Sequence, residues 1–300
     1  MSEVGFLVAA STSDWATYIG AFRAKMPGGT NITFLPAGGA AGDPAKISAA
    51  AKYFAQNAFD VVVTASTEAA LICKTEMQAN QRQFVFASVG DPAISGLIPT
   101  PGGNFTGGSN LQVSLVQARV TEMLKPVHNF QAPFAVVGNY NNEPIKSAMT
   151  LAFNLLSQAG PTQLAPLTPQ DNVGTFIANL KNQGIKSLYV CSDLSLTARG
   201  TALNAEAHAG PPGSRMKTMF EFSEYVSDHG GDLSYGVSFT DLFENAADKV
   251  VKILSGTKAG DLPIYYPTPP RLELTVKKGR PSPTKKRPAS RTKQKSRRGR

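Results

Sequence analysis

Short apolar runs alternate with amphipathic stretches of helix length through most of the chain, and this alternation restricts the fold more than any other feature of the sequence. Val4–Ala10, Asn31–Leu35, Asp60–Thr64 and Phe84–Ser88 read as strands, separated by helices over Trp15–Lys25, Pro44–Asn57 and Glu68–Gln78. Each strand is nearly continuous in apolar residues, as expected of strands covered on both faces by helices. Repetition of this βα kind builds parallel sheets. The same grammar restarts after Gly107–Asn110, with a helix over Leu115–Lys125 and a strand over Pro133–Val137. Helices Pro144–Gln158 and Val173–Asn182, strand Ser187–Cys191, helix Thr197–Ala209 and a short strand at Thr218–Phe220 follow. The sequence therefore predicts an α/β protein of two doubly wound, Rossmann-like lobes.

A chain of 300 residues is long enough for two lobes, each with its own core. No run approaches the roughly 18 uninterrupted apolar residues of a membrane helix. The net charge of +9 suggests a nucleic-acid partner until its distribution is considered. Twelve of the 30 basic residues fall in Lys277–Arg300, which has no acid, leaving 18 basic against 21 acidic residues elsewhere. The body is slightly acidic. Residues 277–300, rich in Pro, Ser and Thr and without apolar periodicity, read as a disordered basic tail. Two readings of it stand side by side: an electrostatic arm for nucleic acid or an anionic surface, and a non-homologous end with no partner.

Several motifs narrow the identity further. The first half carries Ser88-Val-Gly-Asp-Pro92, Gly96-Leu97 and Pro101-Gly-Gly-Asn-Phe-Thr-Gly107. The second carries Glu224-Tyr225, Gly230-Gly-Asp-Leu-Ser-Tyr-Gly236 and, after a helical run, Gly260-Asp-Leu-Pro263. In this order and spacing, from about Gly5 to about Leu274, the chain resembles the substrate-binding proteins of bacterial ABC importers, in the branch that includes aromatic amino acid binding members. The resemblance implies a type I periplasmic-binding-protein-like fold, with two lobes facing each other across a ligand cleft and three chain crossings between them. These crossings are expected near Gly107–Gln112, Gly231–Gly236 and Tyr266–Pro270. The N-terminal lobe would comprise 1–110 with about 236–266, and the C-terminal lobe 111–235 with about 267–276. It further implies a monomer without a cofactor, an amino acid-like ligand, an ABC permease as partner and a periplasmic location. Met1-Ser-Glu-Val4, however, leads directly into the first strand without a signal segment, so in this form the chain is expected in the cytoplasm. There, the same cleft would serve a ligand sensor or interaction protein, the basic tail contacting nucleic acid or an anionic surface.

In open parallel sheets, ligands lie beyond the carboxyl ends of the strands. Small polar residues occupy five such ends: Ser11-Thr12-Ser13, Thr64-Ala-Ser66-Thr67, Ser88-Val-Gly-Asp91, Gly138-Asn-Tyr140-Asn141 and Ser192-Asp193. Hydroxyls at the helix start after Thr64 suit a ligand carboxylate, although Ser66 or Thr67 also serves as a helix cap. Asp91, in a Gly-Asp-Pro turn, is expected to bond nearby backbone. Asp193 is expected to face the ligand ammonium. Trp15, Tyr140 and Tyr235 are candidates for an aromatic wall, and Glu221 is a further acidic candidate.

Enzymatic signatures are missing. His128, His208 and His229 lack metal-site spacing. Gly38-Gly-Ala-Ala-Gly42 lacks the Gly-Lys-[Ser/Thr] of a phosphate loop and reads as an ordinary surface loop. There is no G-x-S-x-G elbow. Cys73 and Cys191, far apart in sequence, read as buried small hydrophobes.

Overall fold

A computed structural model describes residues 1–274 except 141, 169, 193–198 and 269. The first lobe is built from β1 (Ser2–Leu7), α1 (Ala16–Lys25), β2 (Thr30–Leu35), α2 (Pro44–Gln56), β3 (Val61–Thr64), α3 (Thr67–Met77), β4 (Phe84–Val89) and β5 (Phe105–Ser109). Its sheet runs β2-β1-β3-β4-β5, and all neighbours are parallel. The second lobe contains α4 (Val116–Met123), β6 (Phe134–Gly138), α5 (Glu143–Ser157), β7 (Thr162–Pro166), α6 (Val173–Asn182) and β8 (Ser187–Val190). It continues through α7 (Gly200–His208), β9 (Lys217–Phe220), α8 (Glu224–His229) and β10 (Leu233–Gly236). Then α9 (Phe239–Leu254) returns to the first lobe, and β11 (Arg271–Leu274) closes the second sheet, β11-β10-β9-β8-β6-β7, as its antiparallel edge.

These strand orders fix where a crevice forms. From β1 the chain moves outward to β2 and then crosses back to β3; from β6 it moves to β7 and crosses back to β8. The loops after β1 and β3 therefore diverge, as do those after β6 and β8, each pair leaving an opening at the carboxyl ends of its strands.

Each lobe has its own core. In the first, Phe6 stacks on Phe34 at 5.2 Å and meets Phe22 edge-on at 5.2 Å. The returning helix α9 joins this core through Phe243, 6.2 Å from Phe6 and 5.7 Å from Trp15. The second lobe is layered on both faces of its sheet, Ile177, Leu188 and Leu203 on one side and Met149, Tyr189 and Met219 on the other. Cys73 and Cys191 are buried and not joined in a disulfide, and burial pushes the Cys73 thiol well above its ordinary range.

Two of the anticipated crossings differ in detail. Residues 233–236 are strand β10, and the return to the first lobe follows it, between Gly236 and Phe239. Residues 105–109, partly expected as a crossing, are strand β5, whose glycines lie flat on β4: a Cβ on Gly107 would come within 2.2 Å of the Phe86 carbonyl oxygen. The basic tail lies outside the described residues. Among those residues no helix is long and apolar enough to cross a membrane.

Candidate functional site: a cleft between the lobes

Between the lobes lies a narrow cleft, partly open to solvent, walled by residues from both sides. On the first lobe, the β3–α3 turn supplies Ala65, Ser66, Thr67 and Glu68, and the end of β4 supplies Ser88 and Gly90. Ser66 takes φ +82°, a backbone conformation rare for a residue with a Cβ. Such a conformation costs about 1–3 kcal/mol and collects at functional sites. It is held by the Ser66 N–H donating to the Ser88 carbonyl at 2.8 Å and by the Ser66 hydroxyl accepting from the Ala69 N–H at 3.2 Å. The Thr67 hydroxyl accepts from the Gly90 N–H at 3.1 Å, joining the two loops. The amino end of α3 is thereby fixed toward the cleft.

The second lobe answers with the amino end of α5. Asn142 is its N-cap residue, but the side chain makes no capping bond, and its Oδ1 is buried without a partner among the described residues. The Ser192 hydroxyl, beyond β8, is likewise buried and unpaired. Unsatisfied buried polar groups are costly, so two of them facing one cleft mark atoms that await a ligand or water. Asn139 and Ile145 complete this wall. Trp15, 3 % exposed, forms an apolar face, and Phe222 and Phe239, with ring centroids 3.8 Å apart, form another across the β10–α9 crossing. Glu68 is the one ionisable residue of the wall among the described residues.

Beneath the floor is a buried ion pair. Arg119, 0 % exposed, lies 3.5 Å from Glu221, 1 % exposed. The guanidinium also donates to the Tyr235 carbonyl at 2.9 Å, the Glu221 carbonyl at 3.2 Å and the Gln112 carbonyl at 2.5 Å. The Glu221 carboxylate accepts from the Ser192 N–H at 2.8 Å, the Tyr189 hydroxyl at 3.1 Å and Gln112 Nε2 at 3.2 Å. Burial, reinforced by Glu221, pushes the Tyr189 phenol well above its ordinary range, so it acts as a neutral donor. Of these residues, Gln112 and Ser192 line the cleft.

Residues 31–274 match the family described as ABC transporter substrate binding protein. The chain belongs to that family. Solved structures with the same architecture include the ABC domain from Streptococcus pneumonia in complex with L-Trp, with a TM-score of 0.75 at 17% identity, covering 91% of this chain and 92% of that one. A conserved domain protein from Vibrio cholerae gives 0.74 at 21% identity, covering 91% of each chain. A solute binding protein from Agrobacterium vitis with bound D-fucose gives 0.65 at 12% identity, covering 93% and 98%. At such identities the likeness establishes a shared fold of two parallel-sheet lobes. No curated protein matches the chain in sequence. An ABC transporter substrate-binding protein binds a small solute and interacts with a permease; it is not an enzyme.

The family motifs are mostly joinery. Asp261 of Gly-Asp-Leu-Pro accepts from the Gly102 N–H at 2.7 Å, and the Gly260 N–H donates to the Gly103 carbonyl at 2.9 Å, so this motif locks onto Pro101-Gly-Gly-Asn. Gly260 has no alternative, since a Cβ there would lie 2.2 Å from the Thr100 carbonyl oxygen. Glu224 of the Glu-Tyr motif accepts from the Ser238 hydroxyl at 2.6 Å and the Thr240 N–H at 3.3 Å, bracing the start of α9.

Of the residues singled out from sequence, Trp15, Ser66 and Thr67 reach the cleft. Thr64 is fully buried behind it, its hydroxyl unpaired among the described residues. Ser11 and Thr12 instead tie down the β1–α1 loop: Ser11 Oγ accepts from the Asp14 N–H at 3.1 Å, and the Thr12 N–H donates to the Gly38 carbonyl at 3.0 Å. Asp91 bonds the N–H groups of Ala93 and Ile94, as its turn demands. Tyr140 packs on the second core with the Lys146 ammonium 5.8 Å from its ring, and Tyr235 is strand β10 packing, so neither walls the cleft. Glu221 stands one layer behind the wall, its oxygens engaged by Arg119, Tyr189, Gln112 and Ser192. Asp193 lies outside the described residues. The glycine-rich loop, read as surface, brings Gly42 into the cleft. Asn110, Gln112, Asn142, Phe222 and Phe239 were missed, because they sit at crossings or helix starts whose positions depend on how the lobes face each other.

Proposed function

We propose that the chain is the solute-binding protein of an ABC-type importer and that its ligand is a small zwitterion, an amino acid or close relative, held between the lobes. The observation that carries this reading is the convergence of two helix amino ends, α3 from one lobe and α5 from the other, on one cleft holding unpaired polar atoms. Helix amino ends favour an anionic group such as a carboxylate. Trp15, Phe222 and Phe239 suit an apolar or aromatic side chain. The ammonium partner in this reading is Asp193, next in the chain to the wall residue Ser192, with Glu68 as the other acid at hand. The L-Trp held by the Streptococcus pneumonia neighbour favours an amino acid, whereas other neighbours hold sugars. The two helix amino ends favour a carboxylate over a neutral polyol, and Glu68, the one ionisable side chain of the wall among the described residues, suits an ammonium on the same ligand. The same reading places the protein outside the cytoplasmic membrane, where it would meet its permease.

A ligand that binds only the folded state at a hundred times its Kd adds about 2.7 kcal/mol of stability. A thermal-shift screen should show this for at least one L-amino acid and for none of a matched set of sugars. Trp15, the only tryptophan, gives an independent fluorescence change on binding. Stabilisation by sugars alone would refute the zwitterion assignment.

A further inference from the structure

Gln112 occupies the first crossing, between β5 and α4, and is 3 % exposed. Its main chain is anchored to the first lobe, the N–H donating to the Gly90 carbonyl at 2.9 Å. Its side chain is anchored to the second, Nε2 donating to the Ser192 carbonyl at 2.9 Å and to Glu221 Oε2 at 3.2 Å. A carbonyl and a carboxylate paired with Arg119 are both acceptors, so the amide has only one orientation: its NH₂ must face them. Oε1 is therefore directed the other way, beside Gly90, where a Cβ would lie 2.6 Å from it. Gly90 and Gln112 both wall the cleft, and no described residue donates to Oε1.

We infer that Gln112 is a specificity-determining residue: the buried Arg119–Glu221 pair fixes its Oε1 as a directed acceptor that selects ligands presenting an N–H donor, above all an ammonium. Resting on the importer reading above, this adds a reason why a carboxylate alone would not suffice. The ion pair itself does not touch the ligand. Glu221 is a positioning residue, acting by denying the amide its flipped state. Arg119 pairs with Glu221 at 3.5 Å and ties it to the carbonyls of Gln112, at the first crossing, and of Tyr235, in β10. A neutral residue in place of Glu221 would leave the Ser192 carbonyl as the one obligate acceptor holding the Gln112 amide, weakening its bias against the turned state, in which it presents a donor where the ligand also has one.

The test compares each of the common L-amino acids with its desamino carboxylic acid by calorimetry, in the wild type, Gln112→Met and Glu221→Gln. The full-length chain is used throughout. In the wild type, the best amino acid should bind on the order of 10- to 100-fold more tightly than its desamino acid, the range for a hydrogen bond to a charged group. Gln112→Met should bring that ratio close to one by weakening the amino acid far more than the desamino acid. Glu221→Gln should also lower the ratio, an effect that a merely structural role would not produce, since general destabilisation weakens both ligands alike. If Glu221→Gln does not fold, Gln112→Met decides alone. A wild-type ratio near one, or a ratio unchanged in Gln112→Met, overturns the inference but leaves the carboxylate cleft standing. If the wild type binds no amino acid and no desamino acid, the zwitterion reading fails and the inference fails with it.

Discussion

Arg119 and Glu221 are oppositely charged side chains with almost no exposed surface, and such pairs pay a desolvation cost that only good geometry and further hydrogen bonds offset. Here the offset is visible: the guanidinium reaches three carbonyls and a carboxylate, and the carboxylate is met by a hydroxyl, an amide and a backbone N–H. Removing one partner should be far worse than removing both. Arg119→Met is expected to lower unfolding stability by about 3–5 kcal/mol, because Glu221 is left buried and uncompensated. The double variant Arg119→Met with Glu221→Met should recover part of that loss. Urea unfolding of the two single variants and the double variant measures the coupling; strict additivity would mean that the two charges act independently. From sequence, Glu221 was recognisable only as an acid after a strand, and nothing nearby announced its partner, which is 102 residues away in the chain.

At the scale of elements, the strands that sequence makes plain are those buried on both faces, such as β3 with Val61-Val-Val-Thr64 and β4 with Phe84–Val89. β5 and β10 were hidden because each carries glycine where the backbone of a neighbour comes close: a Cβ on Gly236 would sit 1.7 Å from the Glu221 carbonyl oxygen. β7, half-buried Thr-Gln-Leu-Ala-Pro at a sheet edge, lacks the apolar run altogether. The helical run after Gly236 was legible, but the residue pattern did not say which lobe it joins; the family resemblance alone assigned about 236–266 to the N-terminal lobe. Helix α9 follows a strand of the second lobe yet buries Phe243, Ala247 and Val250 in the first. It also buries Lys249, whose ammonium donates to the Pro263 carbonyl. Burial, aided by Lys252, holds the Lys249 pKa down to about 8 from 10.5. Below pH 8 this lysine is charged in both states, and the native state bears the full cost of burying it. Between pH 8 and 10.5 the unfolded state binds more protons, so this group makes stability rise with pH across that window. Lys249→Met should be more stable than the wild type at pH 7, with the difference shrinking as pH approaches 10.5. Guanidinium midpoints at pH 7, 9 and 10 check this, and an equal difference at all three would place the effect in packing instead.

The whole molecule works only if its lobes can approach each other, and Gly90 lies where they touch. It stands at the end of β4 in the first lobe, and its backbone is outside the left-handed region, so conformational freedom does not explain a glycine there. Space does. A Cβ would lie 2.9 Å from the Pro144 Cβ at the start of α5 in the second lobe and 2.6 Å from the Gln112 Oε1 held by that lobe, whereas its nearest neighbour within the first lobe is the Thr67 hydroxyl at 3.4 Å. One added methyl would thus wedge the lobes apart while barely disturbing the lobe that carries it. Ligand contacts drawn from both sides exist only when the cleft is shut, and a ligand shifts the population toward closure only through such contacts. Gly90→Ala should accordingly fold with nearly wild-type stability in the absence of ligand, since the open arrangement tolerates the methyl. Its affinity should fall roughly 5- to 150-fold, the equivalent of about 1–3 kcal/mol of overpacking imposed only on the closed form. Small-angle scattering should show the wild type contracting when ligand is added and the variant contracting less at the same fractional occupancy. A variant that closes fully and binds normally would mean that the approach of Gly90 to Pro144 is not part of ligand capture. A variant that loses stability without ligand would place the wedge inside the first lobe, against Thr67, instead of between the two.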